Sequence, residues 1–106
     1  WVDYPDFQRE VEILQARAPE TSAQLSREVV AFVQALRTED LFKKPGVAET
    51  IDWANCLLAL DVIDLSPAVI ADTLGAILKY QDDITKLQGS EAKRILDQAR
   101  ASLEQA

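Results

Sequence analysis

Apolar residues recur along this chain at intervals of three and four, the spacing that places them on one face of an α-helix. The first such stretch follows Asp6, a residue suited to N-capping, and stops at Pro19. The second follows Thr21 to Gln24, which predicts a capping box with Thr21 as the N-cap, and it continues to about Thr38. The two apolar faces consist of Phe7, Val11, Leu14 and Ala18, and of Leu25, Val29, Phe32 and Leu36.

The third helical pattern starts near Val47, directly after Pro45-Gly46, a dipeptide typical of turns. Its apolar face is wide, which predicts that this helix is central in the fold. That face consists of Val47, Ile51, Trp53, Ala54, Leu57, Leu58 and Leu60.

Two more helical patterns complete the chain. One starts at Ser66-Pro67, an N-cap followed by proline at the first helical position, and runs through Gly75 to Ile84. We interpret Gly75 as a point where a neighbouring helix approaches closely. The other starts with Ser90 as its cap, and its thin, alanine-rich face predicts weak packing. The two faces consist of Ile70, Leu74, Ile77 and Ile84, and of Ala92, Leu96, Ala99 and Leu103.

These patterns predict an all-α fold, an antiparallel bundle of four to five helices joined by short connections. We expect residues 1–5 to be extended, residues 6–88 to form the bundle, and residues 89–106 to form a C-terminal helix that follows a stop at Gly89. The 106 residues contain no methionine, which indicates a fragment of a longer protein.

The chain carries a formal net charge of −7, which argues against binding to nucleic acid or to anionic lipid. No Lys or Arg lies between Lys44 and Lys79, so the solvent face of that stretch must be acidic. This face is either a solubility feature or a docking surface for a basic partner through Asp61, Asp64 and Asp72. We expect a cytoplasmic protein that does not enter a membrane, because no apolar run approaches the roughly 18–20 residues of a membrane span.

The sequence offers little catalytic chemistry. It has no histidine, and its three glycines are scattered, which excludes a glycine-rich phosphate loop. The acidic pairs Glu39-Asp40, Asp82-Asp83 and Asp61 with Asp64 are interpreted as solvated surface, so we predict no catalytic and no metal-binding residue. Cys56 lies in an apolar run and is interpreted as a buried structural thiol.

One segment, 43–50, allows a functional interpretation. It joins two helices and opens a helix whose first N–H groups lack partners, and such an end can face an anion. The alternative is an ordinary connection between helices.

Four stretches add a resemblance to a known family. In this order and spacing they resemble the C-terminal helical lid of MoxR-type AAA+ ATPases, in the branch related to carbon monoxide dehydrogenase maturation. The stretches are WVDYPDF (1–7), FVQALR (32–37), KPGVAETIDWA (44–54) and TLGAILKYQDDI (73–84). The third is the most specific, and the resemblance covers roughly residues 1–87.

The resemblance implies a role in a larger ATPase whose core, ahead of Trp1, would hold ATP and Mg²⁺. Residues 1–5 would end the last strand of that core. The lid would contact its own core and neighbouring subunits of a ring, typically a hexamer, and the parent would act like a chaperone, often alongside proteins with von Willebrand factor A domains. The nucleotide-proximal residues implied are Lys43, Lys44, Pro45, Gly46, Val47, Ala48 and Glu49.

The chain departs from the family at one position. Many AAA+ lids carry a sensor-2 arginine at the start of the third lid helix, and Ala48 stands there. Lys43, Lys44 or a neighbouring subunit would then supply the cation, or this branch does without one. The competing interpretation is a free-standing acidic helical module that binds other proteins.

Overall fold

The computed structural model describes residues 4–88 and 90–104, and within them the chain is an all-α helical bundle without strands. The predicted fold class is thus confirmed. Tyr4 and Pro5 adopt no regular structure, while residues 1–3 of the predicted extended segment and the predicted stop at Gly89 lie outside the described residues. The helices are α1 (Phe7–Arg17), α2 (Ala23–Leu36), α3 (Val47–Ala59), α4 (Pro67–Thr73), α5 (Gln81–Lys86) and α6 (Ser90–Glu104), with a 3₁₀ turn at Leu74–Ala76.

Three helices begin at a side-chain cap. Asp6 accepts a hydrogen bond from the Arg9 amide at 2.8 Å, and Ser66 accepts one from the Val69 amide at 3.3 Å, as the sequence predicts. At α2 the prediction was wrong by one residue, because Ser22 is the N-cap and accepts from the Leu25 amide at 3.1 Å. Ser90, predicted as a cap, is instead the first residue of α6.

Both α2 and α3 are central, so the prediction for the third helix is confirmed: α3 packs against α1, α2, α4 and the 3₁₀ turn. α2 packs against α1, α3 and α6. Val33, which the sequence places beside the stripe, is completely buried, and the buried surface extends further around the helix because Val30 is as completely buried as Phe32. α3 contributes Trp53, Ala54 and Leu57 to the core, and its Leu60 end is exposed.

The fourth predicted helix is broken. α4 ends at Thr73, the chain turns through Leu74–Ala76, and a separate helix starts at Gln81. Gly75 lies in this turn with nothing within 4 Å of a Cβ placed on it, so the predicted close approach of a helix was wrong. Glycine destabilises the interior of a helix, which favours an interruption at this point. Ile77 is buried although the helix is interrupted before it.

The last helix packs closely, contrary to the prediction of weak packing. α6 lies along α2 and buries Ala92, Ile95, Leu96 and Ala99. Ile95 lies beside the alanine-rich stripe and widens it. Because alanine side chains are small, the backbones of α2 and α6 lie close together. A narrow apolar stripe is therefore enough to bury one face of α6.

Two further observations complete the fold. Cys56 is only half-buried, so the prediction of a buried thiol was wrong. Among the helices of the described residues, none combines the length and the apolar character needed to cross a bilayer.

Candidate functional site

The segment 43–49 connects α2 to α3. Lys43 and Lys44 are exposed, whereas Pro45 is buried. Gly46 is the N-cap of α3 and offers no side chain to the helix, and Val47 begins the first turn. The seven residues of the predicted site therefore lie together in one loop and the first turn of α3.

A buried ion pair holds this segment from the side of α1. Glu10 is 0% exposed and accepts two hydrogen bonds from the guanidinium of Arg37, at 2.7 and 2.8 Å. The Thr50 hydroxyl donates to the same carboxylate at 3.0 Å, and the Gln34 amide donates at 3.2 Å. We call these four side chains the Glu10 network. The parallel Arg–carboxylate geometry and the two further donors satisfy a charge that would otherwise be costly to bury.

Two side chains of the Glu10 network, those of Arg37 and Thr50, also contact the backbone of the candidate site. Arg37 Nε donates to the Pro45 carbonyl at 2.8 Å. The Thr50 hydroxyl lies 3.1 Å from the Gly46 carbonyl, which also accepts from the Thr50 amide at 3.1 Å. The turn that leads into α3 is therefore tied to α1 and α2 by side chains as well as by the backbone.

A second carboxylate holds the segment from the other side. Asp83, on α5, is 2% exposed and accepts from the amides of Phe42 and Lys43 at 3.0 and 3.3 Å. The interpretation of Asp82-Asp83 as solvated surface was therefore wrong for Asp83, although Asp82 is exposed. Neighbouring helical residues point about 100° apart, so one carboxylate faces solvent while the next faces the loop.

The exposed side of the segment combines aromatic and charged groups. Phe42 is 76% exposed, and its ring centroid lies 6.1 Å from that of Tyr80. Lys43, Lys44 and Glu49 line an open depression beside Phe42. The Glu49 carboxylate lies 3.6 Å from a Cβ placed on Gly46, which puts a negative group at the positive end of α3. A phosphate at this helix end would therefore meet a negative side chain.

The acidic residues predicted to bind a partner are all exposed. Asp61 occupies a left-handed turn with φ of 57° at the end of α3, and Asp64 follows it closely. Asp72 lies on a different element, α4. Beside the first two, the turn exposes Leu60 and Ile63, the latter to 82%.

Sequence reasoning missed the residues that build the candidate site. Glu10 lies between Phe7 and Leu14 at intervals of three and four, so a charged residue falls on the apolar face of α1. Arg37 follows Val33 by four residues on the apolar side of α2. A charge of each sign on two apolar faces was the available signal of a buried pair. Nothing in the sequence distinguished Asp83 from Asp82.

The described residues contain no group of three or more His, Cys, Asp or Glu arranged to hold a metal ion. The site therefore consists of two exposed lysines, an aromatic pair and an uncapped helix start on a rigid support. This arrangement can contact an anionic or planar group.

No protein-family model, curated protein or solved structure matches this chain.

Proposed function

We propose that this chain is the C-terminal lid of a MoxR-like AAA+ ATPase. In this role it couples ATP binding and hydrolysis in a separate core to movement of subunits and remodelling of partner proteins. The observation that carries the proposal is the support of segment 43–49. Buried Glu10 and Asp83 hold it from two sides, and its exposed side presents Lys43 and Lys44. A rigidly held loop of this kind suits a surface that must meet a ligand or a domain in one orientation.

The lid has no catalytic residue of its own in this proposal. ATP and Mg²⁺ belong to the core, and the lid contacts that core and the neighbouring subunits of a ring, typically a hexamer. Ala48 stands where many lids carry the sensor-2 arginine, so this position supplies no cation. Lys43 and Lys44 are the cations closest to Ala48 in sequence. A protein with a von Willebrand factor A domain is a proposed partner, and the cytoplasm is the proposed compartment.

The proposal is tested first on the gene. The coding sequence ahead of Trp1 should encode a strand followed by Gly-x-x-x-x-Gly-Lys-Ser/Thr and an acidic strand end. In the whole gene product, the double substitution Lys43→Gln/Lys44→Gln should lower the ATPase rate. Lys93→Gln is the control, because Lys93 is an exposed lysine on α6 that pairs with Asp97, away from the segment 43–49.

The fragment alone should show no ATP hydrolysis and no measurable ATP binding by calorimetry. An unrelated sequence ahead of Trp1 would refute the proposal that this chain is an ATPase lid. If the core is present but the lysine substitutions leave the ATPase rate at the level of the control, the lid stands and its contact with nucleotide is wrong.

A second candidate function is a free-standing acidic module that binds basic proteins. It is favoured by the exposed Leu60 and Ile63, which add apolar area to a turn carrying Asp61 and Asp64. Such a surface suits a partner with basic and apolar residues side by side.

A fluorescent peptide of alternating lysine and leucine tests this surface. Charge reversal to lysine at Asp61, Asp64 and Asp72 should weaken binding of the peptide well beyond a control with the same net charge. The control reverses three exposed acids elsewhere: Glu12, Asp97 and Glu104. Equal losses in the two variants would reduce the effect to net charge and remove this candidate.

A further inference from the structure

The contact between Tyr4 and Arg37 joins the start of the described chain to the candidate site. The guanidinium carbon of Arg37 lies 4.2 Å from the centroid of the Tyr4 ring, which is the geometry of a cation–π interaction. Tyr4 is 39% exposed, whereas Arg37 is 8% exposed. Tyr4 therefore covers a buried cation while remaining accessible from outside.

Each of the three guanidinium nitrogens donates a hydrogen bond. Nη1 and Nη2 donate to Glu10, and Nε donates to the Pro45 carbonyl. The Tyr4 ring, centred 4.2 Å from the guanidinium carbon, occupies space beside these bonds that water would otherwise fill. Hydrogen bonds are electrostatically stronger where water is excluded.

We propose that Tyr4 acts as a removable cover on Arg37, and that its position determines how firmly Pro45, Gly46 and the first turn of α3 are held. This coupling is a property of the chain itself and goes beyond the lid assignment. Its use as a relay, by which movement of a core shifts the segment 43–49, depends on the proposed function.

The physical path is short. When Tyr4 leaves, water reaches the guanidinium and competes for the bond to the Pro45 carbonyl. Pro45 precedes Gly46, whose carbonyl accepts from the Thr50 amide at 3.1 Å. The Thr50 hydroxyl also donates to Glu10, so a looser Arg37–Glu10 pair loosens Thr50 from both directions.

The path predicts an asymmetry within the loop. The amide of Lys43 is held by Asp83, which belongs to α5 and makes no hydrogen bond to the Glu10 network. Removal of the Tyr4 ring should therefore weaken the hydrogen bond of the Thr50 amide and leave the hydrogen bond of the Lys43 amide unchanged.

Amide hydrogen exchange of the whole chain, followed by NMR, tests the cover. Tyr4→Ala should accelerate exchange of the Thr50 amide by about 2- to 30-fold, the range that corresponds to a cation–π interaction. Tyr4→Phe should remain close to the unsubstituted protein, because a phenyl ring retains the interaction. Tyr80→Ala is the matched control, since Tyr80 is also a half-exposed aromatic but its ring is tilted by 60° against that of Phe42.

Three results would overturn the proposal. The first is an unchanged Thr50 amide in Tyr4→Ala. The second is an equal acceleration of buried α6 amides such as that of Ile95, which would indicate general destabilisation. The third is an equal effect of Tyr80→Ala at Thr50.

Discussion

Removal of the Glu10 carboxylate is the sharpest test of how this fold is held together. Glu10→Ala leaves the Arg37 guanidinium, whose side chain is 7% exposed, without its partner. Breaking a buried ion pair in this way costs about 3–5 kcal/mol, because a buried charge remains uncompensated. A domain of this size has an unfolding free energy of about 5–15 kcal/mol, so the variant should lose a large part of its stability.

Urea unfolding followed by far-ultraviolet circular dichroism measures this loss. The control is Glu12→Ala on the same helix, because Glu12 is exposed and lies 3.8 Å from the exposed Arg9. An exposed pair of this kind contributes about 0–1 kcal/mol. The two substitutions remove the same side chain two residues apart on one helix, and the two sites differ in burial.

A double substitution separates the pair from its surroundings. Glu10→Leu with Arg37→Met replaces both charges by apolar groups, so it should cost less than Glu10→Ala alone despite the lost bond to Pro45. A loss of unfolding free energy in Glu10→Ala no larger than that in Glu12→Ala would refute a stabilising role for the buried carboxylate. So would a loss in the double variant equal to the sum of the losses in Glu10→Leu and Arg37→Met.

Three further predictions follow from individual residues. Gly75→Ala should stabilise the protein by about 0.4–1 kcal/mol in urea unfolding, because its Cβ meets no atom within 4 Å; a destabilised variant would contradict this expectation. Asp83→Ala should cost about 1–3 kcal/mol, since it strands two loop amides, whereas exposed Asp82→Ala should change stability by less than about 0.5 kcal/mol; equal losses would contradict the anchoring role. The hydrogen bond and charge of Arg94 lower the pKa of Glu91 below its ordinary value, so an NMR titration should show a return toward that value in Arg94→Met. Because the folded pKa is the lower one, this pair stabilises the protein above the ordinary pKa, and the contribution disappears as the pH falls through the folded value.

The sequence predicted the helices well where a cap and an apolar stripe agreed. Asp6 and Ser66 cap the helices that they precede, as expected from local hydrogen bonding alone. The errors arose where two adjacent residues were equally suited to cap a helix, or where the local sequence carried no signal. Thr21 and Ser22 both precede the stripe of α2, and only the path of the chain selects Ser22.

The candidate site was predicted as a segment but not as a structure. Pro45-Gly46 marked the turn, and periodicity marked the start of α3. The residues that hold the turn come from distant positions, since Glu10 is 27 residues from Arg37 and Asp83 is 40 residues from Lys43. Periodicity within one helix contains no information about which distant side chain it will meet.

The sequence by itself therefore determined the all-α class, the starts of most helices and the acidic surface of the chain, because these depend on spacing, capping and charge counts. Tertiary structure alone decided that α2 is as central as α3, that α6 packs closely, and that Asp83 is buried while Asp82 is exposed. It also decided that Arg37 connects Tyr4, Glu10 and Pro45. These outcomes depend on burial and on contacts between helices, and a buried charge finds its partner only when the helices have come together.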